Sequence, residues 1–313
     1  MKVLVTGASG FIGSHLAELL LGCGVEVWNI SKPTYAVNPI FLRHLDCNKK
    51  YHYLPFDILQ TDELRRLIDA EEIGQVYHLA AETHVDRSFT HPRDFILNNT
   101  VGTWSILEAI RNCKQPPKLF YMSTDEVFGN VESGFCLETD VFAPRNPYSA
   151  SKAAAEHYCM VYHHSYGVPV VIGRSMNNYG PRQHPEKLIS KIITNCLSNK
   201  PYTLYEGGSV RGWIYVKDCV RAVQLIMEKG IVGEAYHIPP NKYLSVPEIN
   251  DVIVKLAGAS CFGGFKGRRL KDDERYALNA EKTLNTLGFK SQYSFEEGLR
   301  ETVEWTKTMI GKI

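Results

Sequence analysis

Two short stretches carry the residues with the clearest chemical potential: Tyr148-Ser-Ala-Ser-Lys152 and, upstream, Ser123-Thr-Asp-Glu126. A tyrosine and a lysine four residues apart share one face of a helix. In a cleft, the ammonium of Lys152 would stabilise a tyrosinate and lower the pKa of the Tyr148 phenol towards neutrality. That phenolate is a base for a substrate hydroxyl, which a nearby serine or threonine hydroxyl would hold. These three groups together suit oxidation of an alcohol by a nicotinamide cofactor. On an exposed helix, however, the tyrosine and lysine would have no catalytic role.

The extreme N-terminus supplies a site for such a cofactor. A short apolar run, Lys2 to Thr6, predicts a buried strand, and a helical pattern begins at Ser14. Between them, Gly7 allows a tight turn, Gly10 lets the backbone approach a diphosphate, and Gly13 lets the helix pack closely on the strand. The phosphates would then lie on the free amides of the helix N-terminus.

The end of the predicted second strand leaves the choice of cofactor open. An acidic residue there would bind the adenosine ribose hydroxyls of NAD, but the strand, Val25 to Ile30, is followed by Ser31 and Lys32. These two residues would accommodate the 2′-phosphate of NADP, and an ordinary surface lysine is the alternative. Asp57 and Ile58, which follow a third strand predicted from Tyr53, are expected to flank the adenine.

A fourth predicted strand, Gln75 to Ala81, ends in small residues that suit close passage beneath a cofactor. These are Ala80 and Ala81. His84 follows in a loop and is a candidate substrate contact, although loop histidines often have no function. Asn99 lies in a predicted long amphipathic helix from Phe95 to Cys113, where a polar side chain would complete a backbone or water network.

The elements that must position these residues alternate between strand and helix throughout the first half. A fifth strand, Lys118 to Thr124, delivers its end residues to the edge where open parallel sheets bind ligands. A helix from Tyr148 to about Tyr166 and a sixth strand, Val168 to Arg174, follow. This order predicts a Rossmann-type α/β fold, a doubly wound parallel sheet. We expect residues 1–175, plus about 213–238, to form the dinucleotide-binding domain, and 176–212 and 239–313 a smaller, less regular substrate-binding lobe.

The charge, cysteines and apolar runs of the chain argue against some classes of binding partner and some cellular locations. The chain of 313 residues is 44% hydrophobic and has a net charge of +1, without basic blocks, so nucleic acid is not an expected partner. Eight cysteines are scattered without a C-x-x-C pair, which favours reduced thiols over disulfides or a metal site. No apolar run reaches transmembrane length and no signal-peptide pattern precedes the first strand, so we expect a cytoplasmic protein that does not enter membranes.

Taken together, the motifs resemble the extended short-chain dehydrogenase/reductase superfamily and, within it, nucleotide-sugar 4,6-dehydratases of the dTDP-glucose type. The resemblance runs through nearly the whole chain. It is carried by Thr6 to Gly13, Ala80 to Ser88, Ser123 to Gly129, Asn146 to Ala154, Asn177 to Leu188, and Arg269 to Ala277. The acidic pair Asp125-Glu126 discriminates most, because epimerases of the same fold commonly lack it.

The resemblance implies a role for each catalytic residue. Tyr148 takes the O4 proton of a hexose, Lys152 supports it and the nicotinamide ribose, and Thr124 binds O4. Hydride moves from C4 to the cofactor and later returns to C6. Asp125 is the acid on O6 and Glu126 the base for C5, since elimination of water needs two carboxyls whose pKa values differ.

The resemblance also implies the binding residues. For the cofactor these are Gly7, Gly10, Phe11, Ile12, Gly13, Ser31, Lys32, Asp57, Ile58, Leu79, Ala80, Ala81, Thr83, Asn99, Ser123, Tyr148 and Lys152. For the nucleotide sugar they are His84, Thr124, Asn177, Lys187, Leu188, Arg211, Asn241 and Arg275; no metal is implied. The helices after Phe95 and Tyr148 are expected to pair in a homodimer.

Three departures from the family pattern keep alternatives open. Ser31 replaces a usual aspartate, Gly212 follows Arg211 where an aspartate is common, and Arg269 to Arg275 loses its usual Pro-Gly-His centre. The substrate is therefore a dTDP- or UDP-linked hexose. A 4-epimerase, a dehydratase that forms a 5,6-ene, and a non-catalytic nucleotide-binding protein remain alternatives.

Overall fold

A computed structural model describes residues 1–34, 39–206, 209–258, 262–268 and 273–310. Seven strands form the main sheet, and five further strands form two small sheets. In chain order the strands are β1 Lys2–Thr6, β2 Glu26–Ile30, β3 Tyr51–Leu54, β4 Gln75–His78, β5 Lys118–Thr124, β6 Val170–Ser175, β7 Asn177–Tyr179, β8 Tyr202–Glu206, β9 Val210–Tyr215, β10 Ala235–Ile238, β11 Lys242–Ser245 and β12 Phe262–Arg268.

The main sheet confirms the predicted fold class. Its order is β10-β6-β5-β4-β1-β2-β3, and every neighbouring pair is parallel. The chain winds outwards from β1 in both directions, so the order reverses between β1 and β4. At such a switch point the two halves leave a crevice beyond the carboxyl ends of the strands, where ligands bind in open α/β sheets.

Helices cover both faces of this sheet and pack the lobe beside it. They are α1 Phe11–Gly22, α2 Thr61–Ala70, α3 Val85–Thr90, α4 Pro92–Phe95, α5 Gly102–Arg111, α6 Pro147–Tyr166, α7 Leu188–Leu197, α8 Val216–Lys229, α9 Val246–Ala257, α10 Glu281–Leu287 and α11 Phe295–Met309. One apolar core joins α1 and α8 to one face of the sheet, and a second joins α2, α5 and α6 to the other. Strands buried on both faces read as nearly continuous apolar runs, as β1 does.

The second half is more regular than the sequence suggested. β7, β9 and β11 form a three-stranded sheet, which packs with α7, α9 and α11 around a third core. The expectation of a less regular segment beyond Ile238 is therefore wrong, since β11, α9 and α10 lie there. Helix α9 begins with a capping box, in which the side chains of Ser245 and Glu248 satisfy each other's backbone amides. β10 joins the main sheet beside β6.

The predicted helix from Phe95 to Cys113 is interrupted. Between α4 and α5 the chain forms one π-helical segment, Ile96–Val101. Such wide turns displace side chains from the regular helical stripe, and this one contains Asn98 and Asn99. Among the described helices, none is both long and apolar enough to span a membrane. The seven described cysteines are all free, and Cys261 lies outside the described residues.

Candidate active site

A cavity of about 820 Å³ opens along the carboxyl ends of β1, β2, β4 and β5. Its floor is the turn from β1 into α1, where Gly7 has a φ of +73°, a left-handed conformation that glycine adopts without strain. A Cβ on Gly7 would lie 2.9 Å from the backbone of Ala80, and one on Gly13 would lie 2.2 Å from the Gly7 carbonyl oxygen. The cradle that a dinucleotide diphosphate requires is therefore present.

The adenosine end of the cavity is a network of small polar groups. Ser31 Oγ donates to Asn29 Oδ1 at 2.7 Å and accepts from the amide of Ser9 at 3.1 Å. Lys32 Nζ donates to Asp57 Oδ2 and to Asn98 Oδ1, both at 2.8 Å. Lys32 thus already has two acceptors within the protein, so no phosphate is needed to explain its position or to balance its charge.

The middle of the cavity is formed by the loop after β4. Leu79, Ala80, Ala81 and Thr83 line it, as do Asp57 and Ile58. The predicted network around Asn99 is present: its Nδ2 donates to Ser151 Oγ at 2.9 Å and to the Glu82 carbonyl at 3.0 Å. Asn99 is buried behind the cavity, where it fixes the loop to α6.

At the far end, Tyr148 and Lys152 lie one turn apart on α6, and both line the cavity with Ser123 and Thr124. Lys152 Nζ donates to the Met122 carbonyl at 2.5 Å and lies 4.3 Å from the centre of the Tyr121 ring. Burial lowers the pKa of Lys152 to about 8. Burial raises the pKa of Tyr148, and the charges of Glu126 and Asp125 add to the rise, while a hydrogen bond with Thr124 opposes it.

The expected direction of the Tyr148 shift was therefore wrong for the protein's own groups. Burial of the phenol is the main reason, because it disfavours the charged tyrosinate, and the nearby carboxylates of Glu126 and Asp125 add to the rise. A positive charge that binds in the cavity would favour ionisation of Tyr148.

The acidic pair forms a 3-10 turn, Asp125–Phe128, directly after β5. Asp125 is 3% exposed; its Oδ1 accepts from Thr124 Oγ1 at 3.0 Å, and its Oδ2 has no hydrogen-bond partner among the described residues. Burial, and then the charge of Glu126, raise the pKa of Asp125 to about 7. A carboxyl with this pKa is protonated about half the time at neutral pH and can donate its proton.

Glu126 is oriented by a residue that the sequence interpretation overlooked. Asn146 is the N-cap of α6: its Oδ1 accepts from the Ser149 amide at 2.8 Å. Its Nδ2 donates to Glu126 Oε2 at 3.0 Å. One side chain thus ties the helix that carries Tyr148 to the carboxylate of Glu126. The signal was present, because Asn followed by Pro and, three residues on, Ser is an N-terminal helix pattern.

The two arginines expected at the substrate diphosphate lie outside the cavity lining. Arg211 is 8% exposed, donates to the carbonyls of Asp273 and Glu274, and stacks on the Tyr276 ring at 4.5 Å. Arg275 donates to the Val131 carbonyl at 3.5 Å and lies 5.3 Å from the Phe135 ring. Both fix the chain segment around residues 273–276; residues 269–272 of the predicted motif lie outside the described residues, as do Gly207 and Gly208.

Of the other predicted substrate residues, Lys187 lines the cavity, whereas Asn177, Leu188 and Asn241 lie outside its lining. Lys187 lines the cavity and donates to the Thr83 carbonyl at 2.9 Å, and His84 Nε2 lies 3.5 Å from Glu186 Oε2. Leu188 begins α7, and Asn177 begins β7. Asn241 contacts Asp218 and the Tyr293 carbonyl through Nδ2, at 2.9 and 2.8 Å, and accepts from the Tyr215 amide. Its side-chain amide is therefore engaged within the protein, and Asn241 does not line the cavity.

Known proteins resemble this chain in both sequence and fold. The family model described as GDP-mannose 4,6 dehydratase matches residues 4–302. The chain therefore belongs to this family of nucleotide-sugar dehydratases and, by its fold, to the short-chain dehydrogenase/reductase superfamily, as the sequence motifs predicted.

Individual proteins similar to this chain are named as dTDP-glucose 4,6-dehydratases. A probable dTDP-glucose 4,6-dehydratase from Sinorhizobium fredii is 40% identical over 97% of this chain and 92% of that protein. The dTDP-glucose 4,6-dehydratase of Haemophilus influenzae is 38% identical, with 97% of each chain covered. The structure of the dTDP-glucose 4,6-dehydratase DesIV from Streptomyces venezuelae, which has NAD bound, superimposes with a TM-score of 0.95 at 35% identity, covering 100% of this chain and 98% of that one.

Proposed function

We propose that this enzyme converts a dTDP- or UDP-linked hexose to the corresponding 4-keto-6-deoxy sugar by C4 oxidation and elimination of water between C5 and C6. The observation that carries the proposal is the buried Asp125, whose pKa of about 7 suits a proton donor, beside Thr124 and Tyr148. An enzyme that only oxidises and re-reduces C4 has no use for this second acid. The named relatives and the family model support the same activity.

The chain's own residues divide the proton transfers. Thr124 and Tyr148 hold the C4 hydroxyl, and the phenolate of Tyr148 takes its proton. Lys152, which lines the cavity one helical turn from Tyr148, stabilises that phenolate with its positive charge. The nicotinamide, when bound, supplies the hydride acceptor for C4, the hydride donor for C6 and, in its oxidised form, a positive charge that favours the ionised phenol.

Elimination then requires an acid and a base on the same side of the sugar. We assign Asp125 as the acid that protonates the departing C6 hydroxyl, because it is the carboxyl with the raised pKa. Glu126 is the base that removes the C5 proton, since Asn146 orients its carboxylate with a hydrogen bond at 3.0 Å. Neighbouring carboxyls in different environments divide such labour.

We propose NAD as the cofactor. Lys32 is held by Asp57 and Asn98, and Ser31 by Asn29 and Ser9, so the hydrogen-bonding groups that would read a 2′-phosphate are already engaged within the protein. The related structures that contain NAD support this choice. NADP, which the Ser31-Lys32 pair also allows, would have to displace Lys32 from Asp57.

We also propose a homodimer. Large apolar side chains are exposed along α6, and on α5 and the π-helical segment that precedes it: Tyr158 is 44% exposed, Val161 51%, Trp104 40% and Ile96 55%. Packing α5 and α6 against a second copy would cover them. A monomer mass by light scattering at micromolar concentration would contradict this. We further propose the two-lobe division at residues 1–175 plus about 213–238, against 176–212 and 239–313.

The test is the mass of the product. Incubation with dTDP-glucose and UDP-glucose should yield a product lighter by one water. Unchanged mass with inverted C4 would indicate a 4-epimerase, an activity found among the structural relatives. A 5,6-ene retaining the C4 hydroxyl would indicate the variant dehydratase, and no turnover of any sugar a binding protein. Glu126→Gln should still permit cofactor reduction but block loss of water; undiminished dehydration would remove Glu126 from the mechanism.

A further inference from the structure

Arg182 lies in the loop between β7 and α7, and this loop is fastened to the dinucleotide-binding helix α1. His15 Nε2 donates to the Pro181 carbonyl at 3.0 Å, and Arg182 Nη2 donates to Glu18 Oε1 at 2.6 Å. His15 and Glu18 share one face of α1 with Phe11, the first residue of the helix. The guanidinium therefore lies along the side of α1 whose first-turn amides face the cavity.

The Arg182 side chain has a donor that the protein does not use. Nη1 is buried and has no acceptor among the described residues, although Arg182 lines the cavity together with Gly10 and Phe11. The side chain as a whole is 15% exposed. A buried guanidinium donor without an acceptor is unfavourable, and a small rotation of the Arg182 side chain towards the cavity that it lines would let an incoming anion satisfy Nη1.

The backbone of Arg182 is also held in an uncommon conformation. Its φ is +71°, and the other described non-glycine residues with positive φ, Glu72 and Asn199, do not line the cavity. Arginine gains nothing locally from the left-handed region, which asparagine or glycine would adopt more readily. The surrounding contacts therefore hold the arginine where its side chain reaches α1 and the cavity.

We propose that Arg182 binds the diphosphate of the dinucleotide cofactor from beside the first-turn amides of α1. This inference rests on the proposed function, which requires that a dinucleotide occupy the cavity. Helix amides and a guanidinium are complementary ligands for a diphosphate, because the amides bind one phosphate group while the guanidinium donates to the other oxygens. Glu18 holds the guanidinium in place through Nη2 and leaves Nη1 for the ligand.

The test is binding, without turnover. Protein stripped of nucleotide is titrated calorimetrically with adenosine, ADP, NAD, NADP and dTDP. Arg182→Gln should weaken ADP and NAD about 10- to 100-fold, the range for a lost hydrogen bond to a charged group, and leave adenosine and dTDP unchanged. Arg182→Asn is the second variant, because asparagine tolerates the left-handed backbone. The melting temperature without ligand checks that each variant folds.

Glu18→Gln is the matched control. If Arg182 served only as the ion-pair partner of Glu18, the two variants would weaken ADP to the same degree; we expect Glu18→Gln to retain ADP affinity within about threefold. Equal losses, unchanged ADP affinity in Arg182→Gln, a loss confined to NADP, or a loss confined to dTDP would each overturn the proposal. Wild-type protein that binds neither ADP nor NAD would instead refute the proposed function, and this inference with it.

Discussion

Helix α6 carries two buried polar clusters, one turn apart. They differ in whether their charged and polar groups have hydrogen-bond partners. Tyr148, Lys152 and Glu156 follow one another at intervals of four residues, so they form one stripe along the helix. The first cluster, which we call the catalytic cluster, consists of Thr124, Asp125, Tyr148 and Lys152. The second, which we call the ion-pair cluster, consists of Glu156, Arg174 and His237.

In the ion-pair cluster every charge is matched. Arg174 Nε lies 3.0 Å from Glu156 Oε1, its Nη2 lies 2.5 Å from the same oxygen, and its Nη1 donates to the Glu138 carbonyl at 2.9 Å. Burial lowers the pKa of His237 to about 3, so the ring is neutral, with Nδ1 donating to the Asn279 carbonyl and Nε2 accepting from Arg174. The cluster is buried, and its charged groups are hydrogen-bonded to one another and to backbone carbonyls, as buried charges must be.

In the catalytic cluster, polar atoms lack partners. Asp125 Oδ2 and the adjoining Ser123 Oγ are buried without one among the described residues. Asp125, Tyr148 and Lys152 all have pKa values shifted towards the neutral form, with burial as the largest cause. The same helix therefore stabilises the fold at one turn and keeps reactive groups under-satisfied at the next, which is the pattern expected where stability is given up for function.

The largest expected effect is the loss of the base. Tyr148→Phe should lower kcat about 10²- to 10⁴-fold, the range for general acid–base catalysis, because it removes the base assigned to the C4 proton. The unfolding free energy should remain within about 1 kcal/mol, since the ring keeps its packing and a buried, imperfectly bonded hydroxyl is removed. Turnover and urea unfolding of the same preparation measure both quantities. Turnover within tenfold of wild type would remove Tyr148 from its assigned role.

A substitution in the ion-pair cluster should have the opposite effect: it should lower the stability of the fold and change turnover little. Glu156→Gln leaves Arg174 buried without its counter-charge, and the unfolding free energy should fall by about 3–5 kcal/mol. Turnover per folded molecule should decrease far less than in Tyr148→Phe. The double variant Glu156→Gln with Arg174→Met is the control: removing both charges should recover much of the stability. A severe loss of turnover at unchanged stability would erase the distinction between the clusters.

The sequence was sufficient for the catalytic cluster because its members are close neighbours in the chain. Ser123 to Glu126 follow a strongly apolar strand, and Tyr148 and Lys152 are fixed by helical periodicity. It was also sufficient for the main sheet, whose strands are short apolar runs separated by helical patterns. The ion-pair cluster joins α6, β6 and β10, and nothing local in the sequence indicates which buried charges meet.

Elsewhere the errors have identifiable physical causes. The π-helical segment from Ile96 packs against α6, a tertiary contact that no local propensity indicates. Helix α9 carried a readable capping box, Ser245 with Glu248, that was overlooked. The position of Arg211 depends on carbonyls more than sixty residues away, which no local pattern indicates, and its assignment to the substrate diphosphate stays a prediction.

The smallest of the three expected effects is the loss of folding stability that results from burying the ionised Asp125. Its pKa is raised from 3.8 to about 7 in the folded protein. Below about pH 3 the carboxyl is neutral in both states and carries no penalty. As pH rises from about 3 to 7 the unfolded chain ionises first, so the folded state loses stability, up to about 4 kcal/mol above pH 7.

Asp125→Asn removes this penalty but adds an amide donor without an acceptor, which costs about 1–3 kcal/mol. At pH 8 the variant should therefore be about 1–3 kcal/mol more stable than wild type, while dehydration is lost. Below about pH 3 the difference should reverse to about 1–3 kcal/mol in favour of wild type, because the neutral Asp125 carries no penalty whereas the unpaired amide still does. Urea unfolding of both proteins at intervals from about pH 3 to 8 measures the difference, and Asp140→Asn, on an exposed turn, is the control. A variant less stable than wild type at pH 8 would show that Asp125 is satisfied in the folded protein and would place it with the ion-pair cluster.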